Sequence, residues 1–210
     1  MAQVGTGLSM SLDGFIAGPN DSPSNPLGDG GERLFAWYGS GNVEVTAPSG
    51  TMSARVSPES AAHLQEIYPS FGALVTGRRT FDFTDGWGGL HPADVPVFVV
   101  THEVPEEWVR AHPDAPFTFV TDGVESAVEQ AKAVAGDGLV GVGAASLAQQ
   151  CLKAGLLDLV HVDLVPVLLG GGVRLFEHLG ATPIDLELVK VVDAPGVTHI
   201  TYRVVKEESA

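Results

Sequence analysis

The stretch "LVGVGAASLAQQCLKAG", residues 139–155, predicts a strand, a glycine turn and a helix in immediate succession. The apolar run at 139–142 is typical of a buried strand. Ser146 and Gln149 have the S-x-x-Q spacing of a capping box, which predicts Ser146 as the cap of the helix amino terminus. Gly155 is the expected cap at the other end of this helix. A buried strand that runs directly into a helix indicates an α/β fold.

The glycine turn itself has two interpretations. The dinucleotide-binding fingerprint G-x-G-x-x-G needs a third glycine, but position 146 is serine, and Asp163, spaced like a ribose-binding acid, lies inside the next strand. These departures disfavour a Rossmann site. A helix amino terminus after a glycine turn still exposes unpaired N–H groups that suit a phosphate, unless Ser146 caps them. The sequence leaves both readings of the turn open.

The rest of the chain alternates apolar strand patterns with helical patterns. A first strand is expected from Gly5 to Leu12, and a later helix is expected to begin with Ser57 as its cap. Residues 186–207 have the pattern of two alternating strands joined by a turn at 193–196. The sheet is therefore expected to end in an antiparallel hairpin, which a purely parallel fold would lack.

The organisation predicts a single domain, 1–210, because the sequence shows neither an internal repeat nor a low-complexity run. Residues 18–31 are nearly all turn formers. A loop of that length within a compact domain is usually functional or mobile, so we expect it to act as a lid over a binding site.

Composition narrows the classes of partner. With 11 basic and 26 acidic residues, the formal net charge of −15 disfavours binding to nucleic acid or to a membrane surface. Neither a signal-like amino terminus nor a run of roughly 18 apolar residues occurs, which predicts a cytoplasmic location. The one cysteine excludes an intramolecular disulfide and a zinc site built on several cysteines, and we expect no metal site.

Two strand ends carry polar residues that suit a nucleotide. "VTGRRTF" places Gly77, Arg78, Arg79 and Thr80 where a buried strand ends. Arginine forks match phosphate geometry, and glycine allows close backbone approach, although a solvated arginine pair would also fit the sequence. The neighbouring strand ends at Thr101 and His102, where an adenosine could lie.

Four segments in this order, "MSLDGFIAG", "VTGRRTF", "GVGAASLAQQCLKAGLLD" and "HVDLVPVLLGGGVRLFEHL", resemble the dihydrofolate-reductase-like superfamily. Within it they are most similar to the reductase domain of bacterial riboflavin biosynthesis. The resemblance implies a mixed, mostly parallel eight-stranded sheet with helices on both faces and a C-terminal antiparallel hairpin. It also implies NADPH bound across the strand ends, and a homodimer.

The resemblance assigns cofactor-binding residues to three regions. The segment 77–80 would hold the phosphates of the cofactor, and the strand end at 101–102 would flank the adenosine and its 2′-phosphate. The glycine turn would cradle the pyrophosphate and the nicotinamide ribose through Gly143, Ala144, Ala145, Ser146 and Leu147. The first strand and the turn after it would line the nicotinamide through Met10, Ile16 and Ala17. Family members often join two glycines by a cis peptide at this turn, whereas this chain has Gly143-Ala144.

Three residues are candidates for the substrate site. Asp13 could act as the catalytic acid that orients substrate or relays a proton, although an Asp-Gly pair is also a common turn former. His161 shares one strand face with Asp163 by the period-two rule and could contact the same pocket. Trp37 could stack on a flat heterocycle or could belong to the core, and the same two alternatives hold for the adjacent Tyr38.

True folate reductases place a carboxylate on the helix that matches "ERLFAWYG", where this chain has Arg33. We therefore predict an NADPH-dependent reductase that transfers a hydride to a small heterocyclic, carbonyl or imine substrate. The family resemblance implies 5-amino-6-(5-phosphoribosylamino)uracil as one such substrate. The alternatives are a noncatalytic NADP(H)- or nucleotide-binding protein, a true dihydrofolate reductase and a structural dimerisation module.

Overall fold

The computed structural model describes residues 2–206 and confirms the α/β class. It contains twelve strands: β1 Val4–Ser11, β2 Phe15–Ala17, β3 Val43–Thr46, β4 Ser53–Val56, β5 Phe71–Gly77, β6 Val97–Val100, β7 Phe117–Val120, β8 Leu139–Gly143, β9 Leu159–Val165, β10 Val173–Arg174, β11 Leu186–Ala194 and β12 Val197–Val204. Eight of these form one sheet in the order β11-β12-β9-β1-β8-β5-β6-β7. Strands β9 to β7 in that order run parallel, whereas β12 runs antiparallel to both β9 and β11. The expected C-terminal hairpin is therefore confirmed.

Five α-helices connect these strands: α1 Pro58–Ile67, α2 Arg78–Phe83, α3 Glu106–Ala111, α4 Val124–Ala135 and α5 Ala145–Lys153. Short 3-10 helices cover Gly31–Gly39, Tyr68–Ser70 and Asp85–Gly89. The hydroxyl of Ser57 accepts the N–H of Ser60, which confirms Ser57 as the cap of α1. In the part of the chain that the structure describes, no helix has the length and apolar character to cross a membrane.

The amino terminus of α5 differs from the predicted capping box. The cap residue is Ala144, and no side chain caps the helix. The Ser146 hydroxyl instead lies 3.2 Å from the amide nitrogen of Gln150, and the Gln149 amide donates to the carbonyls of Arg174 and Leu175. The capping-box prediction was wrong, and the free N–H groups of the first turn of α5 receive no side-chain acceptor.

The carboxyl end of α5 behaves as expected from its glycine. Gly155 has a φ of 67°, and its N–H donates to the Leu152 carbonyl while the N–H of Leu156 donates to the Cys151 carbonyl. This pair of hydrogen bonds is a Schellman motif, for which glycine is the preferred residue.

The two faces of the sheet are covered differently. On one face, α4 and α5 bury the valines of the central strands in a continuous apolar core. On the other face, one cluster gathers the 31–39 helix, β3, β4 and α1, and a separate cluster around Phe81 packs α2 and α3 on β6. The middle of this second face, over β1, β8 and part of β5, lies between the two clusters.

Candidate functional site

A cavity of about 790 Å³ occupies the gap between the two clusters on the second face of the sheet. Its floor is formed by β1, β5, β8 and β9, one wall by α1 and the 31–39 helix, and the other wall by α2 and residues 87–93. The volume is within the range of small-molecule sites, which run from about 300 to 1,000 Å³.

Glycines create the open space above the central strands. Gly5 and Gly7 of β1 and Gly141 and Gly143 of β8 all lie at the cavity. A Cβ atom at Gly143 would meet no atom within 4 Å, and one at Gly7 would lie 3.5 Å from the Cβ of His161. Because these positions carry no side chain, the sheet is bare where the cavity is deepest.

The two segments predicted to hold the cofactor adjoin at one end of the cavity. Thr76 pairs with Gly143 in the parallel ladder between β5 and β8. Beyond that pair, a Cβ atom at Gly77 would lie 3.8 Å from the Leu147 side chain. The peptide bond between Gly143 and Ala144 is cis, as the family resemblance implies. Thr80, Gly143 and Ala144 line the cavity directly, whereas Ala145 and Leu147 are buried behind them and Ser146 is exposed.

Arg78 connects the segment 77–80 with the strand end at 101–102, which is the third region predicted to bind the cofactor. Its guanidinium donates to the Asp82 carboxylate at 2.7 Å, to the Glu103 carbonyl at 2.8 Å and to the Thr101 hydroxyl at 3.3 Å. Thr101 is buried and His102 is exposed beside it. The structure thus brings the arginine of one strand end against the neighbouring strand end, as the cofactor prediction requires.

Arg79 fastens the 18–31 loop to the same end of the sheet. Its guanidinium donates to the Asp21 carboxylate at 2.8 Å and lies 4.5 Å from the centre of the Phe83 ring. The loop also holds itself together, because the amides of Asn20 and Asn25 donate to the Asp29 carboxylate. The predicted lid is therefore tied to α2 by an ion pair at this end.

The residues predicted to line the nicotinamide lie outside the cavity lining. Met10 and Ile16 pack against the core on the face covered by α4 and α5. Ala17 pairs with Val173 of β10, next to the glycine-rich exit from β9. That exit approaches β2 very closely, because a Cβ at Gly172 would collide with the backbone of Ala17 and Gly18.

Asp13 has a different role from the predicted catalytic acid. Its carboxylate accepts from the Ser11 hydroxyl at 2.6 Å and from the backbone N–H groups of Leu169 and Gly170 at 3.1 and 2.7 Å. The Ser11 hydrogen bond, together with those of the two backbone amides, lowers the pKa of Asp13 to about 2. These hydrogen bonds make Asp13 an anchor of the 168–170 loop, and a carboxyl with a lowered pKa that does not line the cavity fits that role better than the role of proton donor.

His161 and Asp163 do share one face of β9 and line the cavity, which confirms their predicted placement. The Asp163 carboxylate lies 2.6 Å from His199 Nδ1, and the other nitrogen of that ring lies 2.9 Å from the Ser60 hydroxyl. His161 contacts the Thr201 hydroxyl at 2.8 Å.

His63 lies between the other two histidine rings. Its Nε2 is 3.1 Å from Nε2 of His161, and its ring stacks on both His161 and His199. Burial, with His199 and His161 as smaller contributors, lowers the pKa of His63 to about 4, and burial likewise lowers the pKa of His161. These two imidazoles are therefore neutral at pH 7.

The same cluster has the composition of a cation site. His63, Asp163 and His199 each place one ligand atom within 4.8 Å of the others. Both nitrogens of His199 are already hydrogen-bonded, however, and its ring is stacked face to face on His63. Ligand lone pairs must converge on a metal from within their ring planes, so this geometry favours a hydrogen-bonded network over metal ligation.

Of the two aromatic residues of the 31–39 helix that were predicted to stack on a ligand or to lie in the core, Tyr38 lines the cavity and Trp37 does not. Trp37 is 1% exposed, packs edge-on against His199 and donates its indole N–H to the Ser9 hydroxyl at 3.2 Å. It lies in the core, whereas Phe35 and Tyr38 of the same helix line the cavity. Arg33 and Glu32 of this helix point to solvent, so the helix supplies no carboxylate of the kind that holds a folate.

Sequence reasoning missed His63 and His199. Their partners become neighbours through the antiparallel register of β9 and β12, which sets His199 opposite Asp163 and Thr201 opposite His161. The signal in the sequence is that His199, Thr201 and Arg203 put polar side chains at alternate positions of this strand, on one of its faces.

The fold is shared with solved structures of modest sequence identity. A protein of Shewanella sp. PV-4 named for riboflavin biosynthesis is 24% identical over 98% of this chain and 100% of its own, with a TM-score of 0.67. The diaminohydroxyphosphoribosylaminopyrimidine deaminase/5-amino-6-(5-phosphoribosylamino)uracil reductase of Thermotoga maritima is 12% identical, with a TM-score of 0.60 over 97% of this chain and 57% of its own. Dihydrofolate reductase of Enterococcus faecalis, complexed with NADP(H), is 13% identical over 97% of each chain, with a TM-score of 0.51.

No curated protein matches the chain. Structural neighbours below 25% identity show the fold, which is the dihydrofolate-reductase-like arrangement expected from the motifs. The family model described as the RibD C-terminal domain matches residues 3–200, nearly the whole length. The chain therefore belongs to the RibD C-terminal domain family.

Proposed function

We propose that the protein is an NADPH-dependent reductase of a small heterocyclic, carbonyl or imine substrate. The observation that carries the proposal is the position of the cavity, which is bounded at one end by Gly143 and Ala144 at the start of α5. A molecule in the cavity would thus lie against a cofactor bound at that turn. Membership of the RibD C-terminal domain family supports a reductase activity.

The residues at this end of the sheet fit a dinucleotide. The first turn of α5 has no side-chain cap, so its N–H groups and the positive end of the helix dipole are available to a pyrophosphate. Gly77 leaves room for close approach at the neighbouring strand end, and Arg78 lies between that end and Thr101. Bound there, the reduced nicotinamide would supply the hydride, while the protein would orient the substrate and exclude water.

The first expected result concerns the 2′-phosphate of the cofactor. Replacing Arg78 by methionine is expected to raise the Kd of NADPH at least tenfold and to leave the Kd of NADH within about twofold, because Arg78 reaches the strand end at Thr101, where the 2′-phosphate that only NADPH carries is proposed to lie. Fluorescence titration of both cofactors against the wild type and Arg78→Met measures this difference.

Arg203→Met provides the matched control, since Arg203 also forms an exposed ion pair, with Glu187, but on β12 near the far edge of the sheet. The control should bind both cofactors like the wild type. Equal loss of NADPH and NADH affinity in Arg78→Met would move the 2′-phosphate away from Arg78. If the wild type bound neither cofactor at millimolar concentration, this result would contradict both the proposed reductase function and the alternative of a noncatalytic nucleotide-binding protein.

Consumption of NADPH separates the enzyme from a noncatalytic binder. The absorbance of reduced nicotinamide is followed with a panel of pterins, pyrimidines, quinones, aldehydes and cyclic imines. A reductase oxidises NADPH with at least one class in the panel and produces the reduced compound in equal amount. Cofactor binding without oxidation across the panel favours the noncatalytic alternative.

We also propose that the protein forms a homodimer through the edge strand β11. Large apolar side chains on and beside this strand are 43 to 57% exposed; they are Leu186, Leu188, Val189, Val191 and Val205. The three charged residues of the strand each have a partner within the chain: Glu187 and Lys190 form ion pairs, and Asp193 accepts from the Thr198 hydroxyl. An open apolar edge of this kind pairs readily with another strand, and a two-fold axis allows it to pair with its own copy.

Substitution of Leu188 by glutamate is expected to convert the dimer to the 21.9 kDa monomer, because it places like charges across the two-fold axis. Light scattering after size exclusion measures the mass. Val134→Glu on α4, whose side chain is similarly exposed at 54%, should remain dimeric. A monomeric wild type at micromolar concentration would contradict this interface.

A further inference from the structure

We propose that the molecule reduced in this cavity is uncharged and carries no phosphate: a flat, largely apolar compound with one hydrogen-bond donor directed at Asp163. The inference rests on the proposed function, because it names the substrate class of the same site. It differs from the phosphoribosyl substrate that family resemblance implies.

The charges around the cavity exclude an anion. Among the cavity-lining residues of the described chain, Lys190 is the single lysine or arginine, and its ammonium is 2.5 Å from the Glu66 carboxylate. Asp163 adds a second carboxylate, so the lining has one more acid than base. A phosphate would therefore meet a repulsive field with no unpaired cation to offset its loss of water.

The histidines do not change this balance. Burial lowers the pKa of His91 to about 4, and the pKa values of His63 and His161 are lowered as well. Neutral imidazoles at pH 7 supply no positive charge. The groups that face His161 are Asp163 on its own strand, the His199 imidazole that Asp163 holds, Lys190 on β11 and Glu66 on α1. The two carboxylates and the one ammonium among them sum to a net negative charge.

The polar side chains on the β9 side of the cavity already form hydrogen bonds with other residues of the protein. His161 contacts Thr201 and His63, and Asp163 contacts His199. A ligand rich in polar groups would find few partners there, and each unmatched group would cost free energy on leaving water. The carboxylate of Asp163 still has acceptor capacity after one hydrogen bond, which suits a single N–H or O–H donor on the ligand.

The remaining surface suits a flat apolar body. Phe35 and Tyr38 approach from one wall, Trp87 from the other, and Phe71 lies near the end of the floor away from Gly143. Aromatic side chains on both sides, above a floor that contains four glycines, favour a planar ring system as the ligand.

The two arginines at the nearby strand end lie outside the cavity. Arg78 and Arg79 are absent from the cavity lining, and each is held by an acid outside it, Asp82 or Asp21. Phosphate recognition is therefore available at the strand ends proposed for the cofactor and not inside the cavity. The phosphate-bearing cofactor is thus assigned to the strand ends, and the uncharged substrate is assigned to the cavity.

A matched pair of probes tests the inference. 2-Naphthol is flat, uncharged and carries one O–H donor, whereas 2-naphthyl phosphate has the same rings with that hydroxyl converted to a charged phosphate ester, so the pair tests the charge and the donor together. Calorimetric titration of the whole protein, with and without NADPH, is expected to show at least tenfold tighter binding of 2-naphthol. Equal or tighter binding of the phosphate would overturn the proposal.

Gly7→Val locates the binding site, since its side chain would fill the floor beside His161 at ordinary contact distance. It is expected to weaken 2-naphthol at least tenfold, whereas Gly39→Val, at an exposed position with open space around its Cβ, should bind like the wild type. An unchanged affinity in Gly7→Val would place 2-naphthol outside the cavity and sink the inference.

A second readout keeps the test independent of folding of the variant. The indole N–H resonance of Trp87 in the wild type should shift on addition of 2-naphthol and remain in place at the same concentration of 2-naphthyl phosphate. Preference for 2-naphthol together with no NADPH binding would support the ligand class and refute the proposed reductase. Oxidation of NADPH together with preference for the phosphate would do the reverse.

Discussion

The free energy of unfolding is expected to fall by up to about 5 kcal/mol as the pH drops from 6.5 to 4. His63 and His91 each have a pKa of about 4 in the folded protein, chiefly because of burial, against 6.5 as the ordinary value. Between these values the unfolded chain binds protons that the folded chain does not, so acid favours unfolding. A shift of this size corresponds to about 3 kcal/mol for each histidine.

The direction of the change in stability and the pH range in which it occurs distinguish the histidine effect from the titration of carboxylates. At about one pH unit above 6.5 both states are neutral at these histidines and stability is unaffected by them; at about one pH unit below 4 both states are protonated and the loss is complete. Asp13 titrates lower, because its pKa is about 2 in the folded protein, so its contribution is lost only as the pH falls through the range below its ordinary value of 3.8.

Urea unfolding at pH 7.5, 6.5, 5.5 and 4.5 measures the histidine effect. His91→Asn retains an acceptor for the Ala93 N–H, which now bonds His91 Nδ1 at 3.0 Å, and removes the titration. The variant should lose about half of the pH dependence and remain as stable as the wild type at pH 7.5 within about 1 kcal/mol. A flat profile between pH 6.5 and 4.5 would contradict the burial of both histidines.

Truncation of Trp37 is expected to destabilise the fold by about 3 to 5 kcal/mol, the usual cost of replacing a buried tryptophan by alanine. The side chain is almost fully buried, contacts the ring of His199 and is the largest residue of the cluster that joins the 31–39 helix to β9 and β12. The melting temperature should fall by roughly 6 to 20 °C for a chain of this size.

Two further variants separate packing from ligand contact. Trp37→Phe keeps an aromatic ring in the core and should recover most of the loss, while Phe35→Ala, at the cavity and 36% exposed, should change the melting temperature by only a few degrees. Calorimetric scanning of all three provides the measurement. If Trp37→Ala melted like the wild type but bound ligand poorly, Trp37 would belong to the substrate site after all.

The elements that the sequence predicted well are those specified by short-range patterns. The strand, turn and helix of 139–155, the cap at Ser57 and the alternating strands of the C-terminal hairpin each depend on residues of one short, continuous segment of the sequence. The capping box failed because α5 begins at Ala145, before Ser146, so the serine lies inside the helix.

The candidate site was predicted less completely because it depends on long-range register. Nothing near Asp163 in the sequence indicates that His199, 36 positions away, will be its hydrogen-bond partner. Asp13 was misjudged for the same reason, since its carboxylate is satisfied by the backbone of residues 169 and 170, which the sequence places far from it. Trp37 and Tyr38 are adjacent, and only the packing of their helix decides which of them faces the core.

Because glycines of β1 and β8 form the floor of the cavity, a substitution at a single position can change the size of the molecule that the cavity binds and leave the fold as it is. Residues added at Gly7 or Gly143 would enter open space or make ordinary contact, whereas a Cβ at Gly141 would lie only 2.6 Å from the Leu74 side chain. A relative that carries alanine or valine at the positions of Gly7 and Gly143 would keep the same sheet and admit a smaller ring. These two positions are thus where divergence in specificity would be expected to begin, ahead of any change in the loops.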